Sequence, residues 1–425
     1  MMARAGILVL ATVDTAMSGH AGPNQIAWYG LGSALHIPFL LIGIGMLLGT
    51  SVITAQSDGA GRSHECGAVL RVGLIHAAIY GLFTMIVCQF GEWFLLLTGQ
   101  APELAAGSSG VLVQFAWGLP AALLFSTTIF FLEGLHRAVP GMVIMAIANV
   151  LNVGLNWLFI YGHGGFPEMG AAGAALATTI VRWFMFVCAL AYVFFVIDRK
   201  KYGLTNVALN LRALGKRFRA IGYPMALGQG LESASFATMA IFAGWIGTTT
   251  VAAWTIASNV LAMVFMFALG LGTAGGIRVA NAGGRRDHIA VHRAGWTACF
   301  LTAIIIGLLA ILAYVFMQPI VSMYGADSTV AAAAIATLLV SIFVLVPDAL
   351  QAVLVGALRG AWDFWPATLL QSICFWLVMV PLGYVLGVVY AGGAPALMGA
   401  VGIGVVLATL LLGARFEWIF RKRII

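Results

Sequence analysis

The sequence predicts an all-α polytopic membrane protein of twelve transmembrane helices in two parallel six-helix repeats, with the first helix incomplete. Three observations carry this reading. Of the 425 residues, 62% are hydrophobic and only 8% are charged, whereas soluble domains carry about 25% charged residues. The stretch from Phe364 to Ala414 holds no Asp, Glu, Lys, Arg or His and is broken only by "AGGAPA". Finally, a shift of 225 residues brings two distant parts of the chain into register, as argued below. Only helices and closed barrels satisfy their backbone groups in lipid. The apolar runs here are continuous and far longer than the roughly ten alternating residues of a barrel strand.

Apolar runs between turn signals place helices near 1–17, 25–56, 67–98, 105–134, 138–162, 169–197, 218–246, 250–281, 289–322, 328–358, 365–390 and 395–420. The first is the awkward one. Its apolar run, Ala5 to Met17, has 13 residues, short of the roughly 20 that span a bilayer. It also carries Asp14, which does not suit the apolar core of a signal peptide, so it reads as the outer part of a longer helix. Helices one to six are separated in turn by "GHAGPNQ", the "DGAGR" loop, "TGQAPE", the basic turn at Arg137 and "GHGGFPEM". The sixth ends at the basic stretch after Asp198. In the second half the punctuation is "GTTT", "NAGGRR", "YGADS", the turn after Arg359 and "AGGAPA". The organisation is thus an N-terminal lobe over 1–198, a linker over 199–217 and a C-terminal lobe over 218–425.

These connections alternate in charge. Six of them ("GHAGPNQ", "TGQAPE", "GHGGFPEM", "GTTT", "YGADS", "AGGAPA") contain no Lys or Arg, and 19 of the 21 basic residues fall on the opposite side, Arg4 and Arg182 being the exceptions. Arg359 is counted with the basic side. By the positive-inside rule that side is cytoplasmic, and an even number of spans puts both termini there. The net charge of +7 is therefore a topology signal, and no nucleic-acid partner is called for. The five cysteines, scattered in apolar segments without a CxxC pair, read as small hydrophobes. His288 and His292 read as a solvated helix start. The glycine-rich loops follow no strand and lack a GK[ST], so they are not phosphate cradles.

At the 225-residue shift, Gly19, Gly22, Ala27, Ser33, Gly45, Ala55 and Gly59 fall on Gly244, Gly247, Ala252, Ser258, Gly270, Ala280 and Gly284. "LEG" at 132 meets "LRG" at 358 and Pro140 meets Pro366 at a shift of 226, and "MGAAG" at 169 meets "MGAVG" at 398. Six spans per half give both halves the same orientation. Parallel repeats of this kind enclose a central cavity that opens to either side as the bundles rock. A duplication that serves packing alone is the other reading.

Four ionisable residues lie at depth: Asp14, Glu232, Asp348 and Arg182. A carboxylate at the bilayer centre costs about 2.5 to 3.5 kcal/mol on insertion scales and marks an ion or substrate path by default. Glu232 lies 13 residues from Arg219 and 12 from Gly244, close to mid-span. Asp348 precedes Arg359 by 11 residues, about 16 Å of helix. Two readings stand for this pair: cation binding, or a structural hydrogen bond between helices with Arg182 as partner. Asp14 reads equally as a site or as an interfacial residue. Asn152 and Asn156 share a helix face at i and i+4, near Asn149. Buried amides need partners, so this face either holds a carboxylate such as Asp14 and coordinates a cation, or is a polar seam between helices. Glu92, Glu103, Glu133 and Glu168 fall at span ends. "GMLLG" and "GYVLG" are small-xxx-small spacings suited to helix packing.

At these residues the chain resembles the multidrug and toxin extrusion (MATE) family, in its NorM-like branch. "VDTAMSGHAG" looks like the first-helix motif with its aspartate. "LNVGLNWLFIYG" followed by "GAAGAALAT" looks like the helix 5 and 6 signature. "YPMALGQGLESASF" and "PDALQAVLVGALRGAWD" look like the helix 7 and helix 10 motifs. The resemblance covers nearly the whole chain. It implies two six-helix lobes and a monomeric secondary antiporter that exports organic, often cationic, small molecules against inward H⁺ or Na⁺. Membrane lipid is its surroundings, and no cofactor beyond the coupling ion and no enzymatic step is implied. It assigns Asp14, Asn152, Asn156 and Thr178 to an N-lobe cation site and Glu232 and Asp348 to a C-lobe site, with Arg182 as a structural or coupling partner. The chain departs from the pattern at Val344, where NorM-like proteins often carry tyrosine. A flippase of lipid-linked saccharides with a related fold, or a membrane protein that transports nothing, are the alternatives.

Overall fold

A computed structural model describes residues 2–59, 61–204, 211–284, 287–361 and 363–422. Parts of the predicted linker (205–210), Arg285, Arg286 and Arg423 lie outside the described residues. The described chain is helical throughout, with no strand: α1 (Met2–His20), α2 (Pro23–Leu47), α3 (Gly49–Gly59), α4 (Cys66–Cys88), α5 (Gly91–Leu97), α6 (Pro102–Gly134), α7 (Val139–Tyr161), α8 (Gly170–Val196), α9 (Leu211–Ile246), α10 (Thr248–Gly284), α11 (His288–Val315), α12 (Met317–Ser322), α13 (Ser328–Gly360), α14 (Phe364–Ile373), α15 (Val380–Gly383) and α16 (Gly393–Arg421). These elements form the twelve predicted columns. Ten are long and apolar enough to cross a membrane. The other two are α1, with 19 residues, and α9, whose apolar run is interrupted by Gln229 and Glu232.

Four predicted helices are composite. The 25–56 segment is α2 plus α3, the 67–98 segment α4 plus α5, and the 289–322 segment α11 plus α12. The 365–390 segment is α14, α15 and two π-helical turns, at Cys374–Met379 and Tyr384–Val389. No basic residue and no loop of turn-forming residues marks these joints, which is why the hydropathy pattern did not separate them.

The repeat is visible in the backbone. Gly22 and Gly247, which break the chain between paired helices, both have positive φ, 140° and 144°. Gly99 and Gly325 (80° and 61°), and Gly164 and Gly393 (66° and 65°), match in the same way. Positive φ is a region where glycine carries no Cβ penalty. These pairs sit 225, 226 and 229 positions apart, the drift already seen in the sequence.

α6 is the hub of the first half, packed against α2, α4 and α8, and α13 is the hub of the second, packed against α10, α11 and α16. The halves meet along α2 and α9, with α1 and α2 also touching α10. Lipid gives helices no hydrophobic reason to associate, so small residues that admit close approach do the work. Gly45 lies 2.9 Å, measured from an ideal Cβ, from the Ala226 Cα, Gly49 approaches the Phe218 backbone, and Gly222 abuts the Met46 carbonyl. "GMLLG" is thus an α2–α3 contact with α9, while in "GYVLG" Gly383 packs on Met239 and Gly387 on Leu397. Four cysteines are buried, Cys188 partly, and all five are unbonded. His292 is not simply solvated: its Nε2 lies 2.8 Å from Glu417 and its ring packs on Phe420.

Candidate cation and substrate sites

Asp14 projects from α1 into a polar cluster built by four helices. Asn156 Nδ2 donates to Asp14 Oδ1 at 2.7 Å, and Thr178 Oγ1 donates to Oδ2 at 2.5 Å. The Tyr29 hydroxyl donates to the same Oδ2 at 3.3 Å. Asn152 Nδ2 donates to Thr178 Oγ1 at 3.2 Å, and Asn156 Nδ2 lies 3.3 Å from Asn152 Oδ1. All five side chains are buried, Asp14 among them at 1% exposure. Neighbouring contacts hold the helices in register. Tyr161 OH donates to the Met17 carbonyl at 3.0 Å, tying the end of α7 to α1. Gln25 Oε1 accepts from the Ala171 amide at 2.8 Å, joining α2 to the start of α8.

One acceptor in this cluster is left over. Asn156 Oδ1 is buried with no hydrogen-bond partner, and an unsatisfied buried polar atom costs about 1–3 kcal/mol. Carboxylate, carboxamide and hydroxyl oxygens are hard donors, suited to a small cation such as Na⁺. Asn149 does not join the cluster; its Nδ2 donates to the Met145 carbonyl of its own helix at 2.8 Å.

Arg182 belongs to this half, and the predicted pairing with Glu232 or Asp348 does not form. Its Nη2 lies 3.1 Å from His36 Nε2, and its Cζ stands over the Phe115 ring at 5.3 Å. His36 stacks on the other partner of that trio, with ring centroids 4.4 Å apart from Phe115 and planes 9° apart. Electrostatically Arg182 acts on Tyr29 and Asp14. Sequence reasoning missed Tyr29 and His36. Their spacing with Ser33 (i, i+4, i+7) on an otherwise apolar helix was the available signal.

In the second half, Glu232 of α9 is partly buried and Asp348 of α13 buried. Glu232 takes a side-chain hydrogen bond from the buried Gln371 of α14 and lies within electrostatic reach of both Asp348 and Arg359. The Arg359 side chain, in the last turn of α13, therefore reaches inward toward α9. Trp376 Nε1 donates to the Leu231 carbonyl at 3.0 Å, fixing α9 against the first π-helical turn; such turns are frequent at functional sites. Thr409 Oγ1 donates to the Pro347 carbonyl at 2.8 Å, holding the kinked stretch of α13 beside Asp348. Val344 faces α16, 3.0 Å from where a Cβ on Gly402 would lie. Among the described residues no group of three or more His, Cys, Asp and Glu side chains suits a transition metal.

The MatE family model matches residues 1–158 and 224–385, one stretch in each half. The chain is 34% identical over 429 aligned residues to the probable multidrug resistance protein NorM of Caulobacter vibrioides, covering 99% of this chain and 90% of that protein. It is 32% identical to the multidrug resistance protein NorM of Photobacterium profundum, covering 96% and 90%. Among solved structures, an inward-facing multidrug resistance MATE family transporter of the MOP superfamily superposes with a TM-score of 0.83 at 18% identity, over 98% of this chain and 94% of that one. The eukaryotic MATE transporter AtDTX14 gives 0.81 at 17% identity, over 99% and 96%. With two matched stretches, full-length relatives and a shared helical fold, the chain belongs to the MatE family, in its NorM-like branch.

Proposed function

We propose that the protein is an alternating-access antiporter, built of lobes 1–198 and 218–425, that exports organic cations in exchange for H⁺ or Na⁺ moving inward. The observation that carries this reading is the buried Asp14 cluster with its spare acceptor, Asn156 Oδ1. A carboxylate held by three donors, beside an unpartnered carbonyl oxygen, is a place for a proton or a small hard cation. Asp14, Asn152, Asn156 and Thr178 would hold the coupling ion, while Glu232 and Asp348 would bind a proton or Na⁺ and, alternately, attract the cationic cargo. The multidrug resistance names of the relatives agree with a broad range of cargo. One charge moving through 100 mV supplies about 2.3 kcal/mol, enough to hold a roughly fiftyfold gradient. A saccharide-diphosphate flippase is favoured less: its cavity would need several basic groups for the pyrophosphate, whereas the inward-turned arginines described above are Arg182, packed on Phe115 beside His36, and Arg359 in the other half.

The test is efflux of a cationic dye from proteoliposomes under an imposed pH or Na⁺ gradient, for the unaltered chain, Asp14→Asn, Glu232→Gln and Asp348→Asn. Loss of gradient-driven efflux is the expected result in each variant. Undiminished efflux in all three would sink the carboxylate mechanism, and the response to each gradient alone identifies the ion.

A further inference from the structure

The acid pair of the second half has a third member. Arg359 follows Asp348 by 11 residues on α13, three helical turns, so both side chains leave the same face. Its guanidinium reaches across to α9: Nη2 lies 3.8 Å from where a Cβ on Gly228 would stand, one turn before Glu232. Arg359 and Glu232 act on each other electrostatically, and Glu232 and Asp348 repel each other when both are charged. Among the described residues no carboxylate comes within 4.0 Å of Arg359. The arginine faces its acid without closing on it. Nor is it a feature that both halves share, since the position matched to it in the first half is Glu133, of opposite sign.

We propose that Arg359 is the resident countercharge of Glu232 and Asp348, a positioning residue that sets how much positive charge the site admits. This rests on the reading of that pair as the cargo-attracting acids. With all three groups ionised, the cluster carries a net charge of −1. It therefore takes one positive charge at a time, and proton, Na⁺ and organic monocation exchange one for another. An organic dication would leave the buried cluster positive, so dications are poor cargo. Burying uncompensated charge is the costly outcome that this arrangement avoids.

The experiment measures equilibrium binding to the purified full chain of tetraphenylphosphonium, a permanent monocation, and of a bis-quaternary ammonium dication. Arg359→Gln should bind the monocation about tenfold more tightly and gain binding of the dication. Arg359→Lys, which keeps the charge, should stay within about twofold of the unaltered protein for both probes. Unchanged or weaker monocation binding by a monodisperse Arg359→Gln protein overturns the proposal. So does equal dication binding by the glutamine variant and the unaltered protein. If Arg359→Gln does not fold, the charge-balanced double variant Arg359→Gln/Asp348→Asn carries the test. Monocation binding within about twofold of the unaltered protein supports the countercharge, and its loss overturns it. Failure of the underlying reading is told apart by Glu232→Gln: undiminished monocation binding there means that the acid does not attract cargo.

Discussion

Gly19 of α1 lies directly against the backbone carbonyl of Tyr324, at a turn of the other half of the chain, so that a Cβ on this glycine would overlap the carbonyl oxygen. The repeat places a glycine at the matching point of the other half: Gly244, matched to Gly19, lies against the side-chain amide of Gln100, next to the positive-φ Gly99. Hydrogen bonds reinforce both. Thr12 and Tyr324 donate to Asn259 Oδ1 at 2.9 and 2.8 Å. Trp245 and Gln100 donate across to Thr98 and Ile241 carbonyls at 2.5 and 3.0 Å. The two halves are thus closed on each other at this end by a pair of glycine contacts. Gly19→Leu or Gly244→Leu should hold the end open. Double electron–electron resonance between labels at His20 and Ala326 should report a longer separation in Gly19→Leu, with efflux reduced at least about tenfold. An unchanged distance distribution would mean that the contact does not control closure.

The Asp14 cluster makes a prediction that separates its own donors from the neighbouring Asn149. Hydrogen bonds to a charged group contribute about 1.5–3 kcal/mol, so Asn156→Ala and Thr178→Val, which remove the two shortest donors, should each weaken coupling-ion dependence of efflux about tenfold or more. Asn149→Ala, which removes only an in-helix bond to Met145, should leave the ion dependence unchanged. Titrating Na⁺ and pH in efflux assays of the three variants checks this. Equal effects in all three would mean that these polar side chains act only in helix packing.

Twelve columns, their order and the duplication were legible because each rests on a local signal: long apolar runs, turn glycines and a fixed spacing. The first cluster was legible in part. Asn152 and Asn156 announced a polar face, but which carboxylate filled it depended on α1 crossing α7 and α8, a tertiary fact. The inward reach of Arg359 was illegible for a related reason. It sits at the end of an apolar run, where a basic residue ordinarily marks the loop, and nothing local says that its long side chain turns back toward α9. Arg182 has the opposite history. It was recognised as intramembrane, but its partner, His36, lies 146 positions away on α2.

The α2–α9 crossing is the seam on which the two halves bear, and it tolerates no added volume. A Cβ on Gly222 would meet the Met46 carbonyl, and one on Gly45 the backbone at Met225 and Ala226. Overpacking typically costs about 1–3 kcal/mol, and backbone on the facing side cannot move as a side-chain tip does. Gly222→Val and Gly45→Val should therefore lower thermal stability in detergent. Gly399→Ala, at a helical position with open space around it, serves as the control. Equal melting temperatures for the three variants would contradict the crossing.

Asp363 and Arg415 join the turn after α13 to the last helix by two parallel bonds, Nε to Oδ2 at 2.9 Å and Nη2 to Oδ1 at 2.8 Å. The pair is mostly sheltered, with 13% of the Asp363 side chain and 28% of the Arg415 side chain exposed, and the guanidinium also lies 4.5 Å from the Trp418 ring centroid. A planar fork matches a carboxylate in a way that an ammonium cannot. Arg415→Lys should therefore recover little of what Arg415→Gln loses, about 1 kcal/mol or more in either case. Because the turn leads from the helix of Asp348 and Arg359 into the helix of Gln371, loosening it should also slow efflux while leaving ion selectivity intact. Thermal unfolding of the purified variants together with efflux rates tests both parts. Full rescue by lysine would reduce the pair to a simple charge contact.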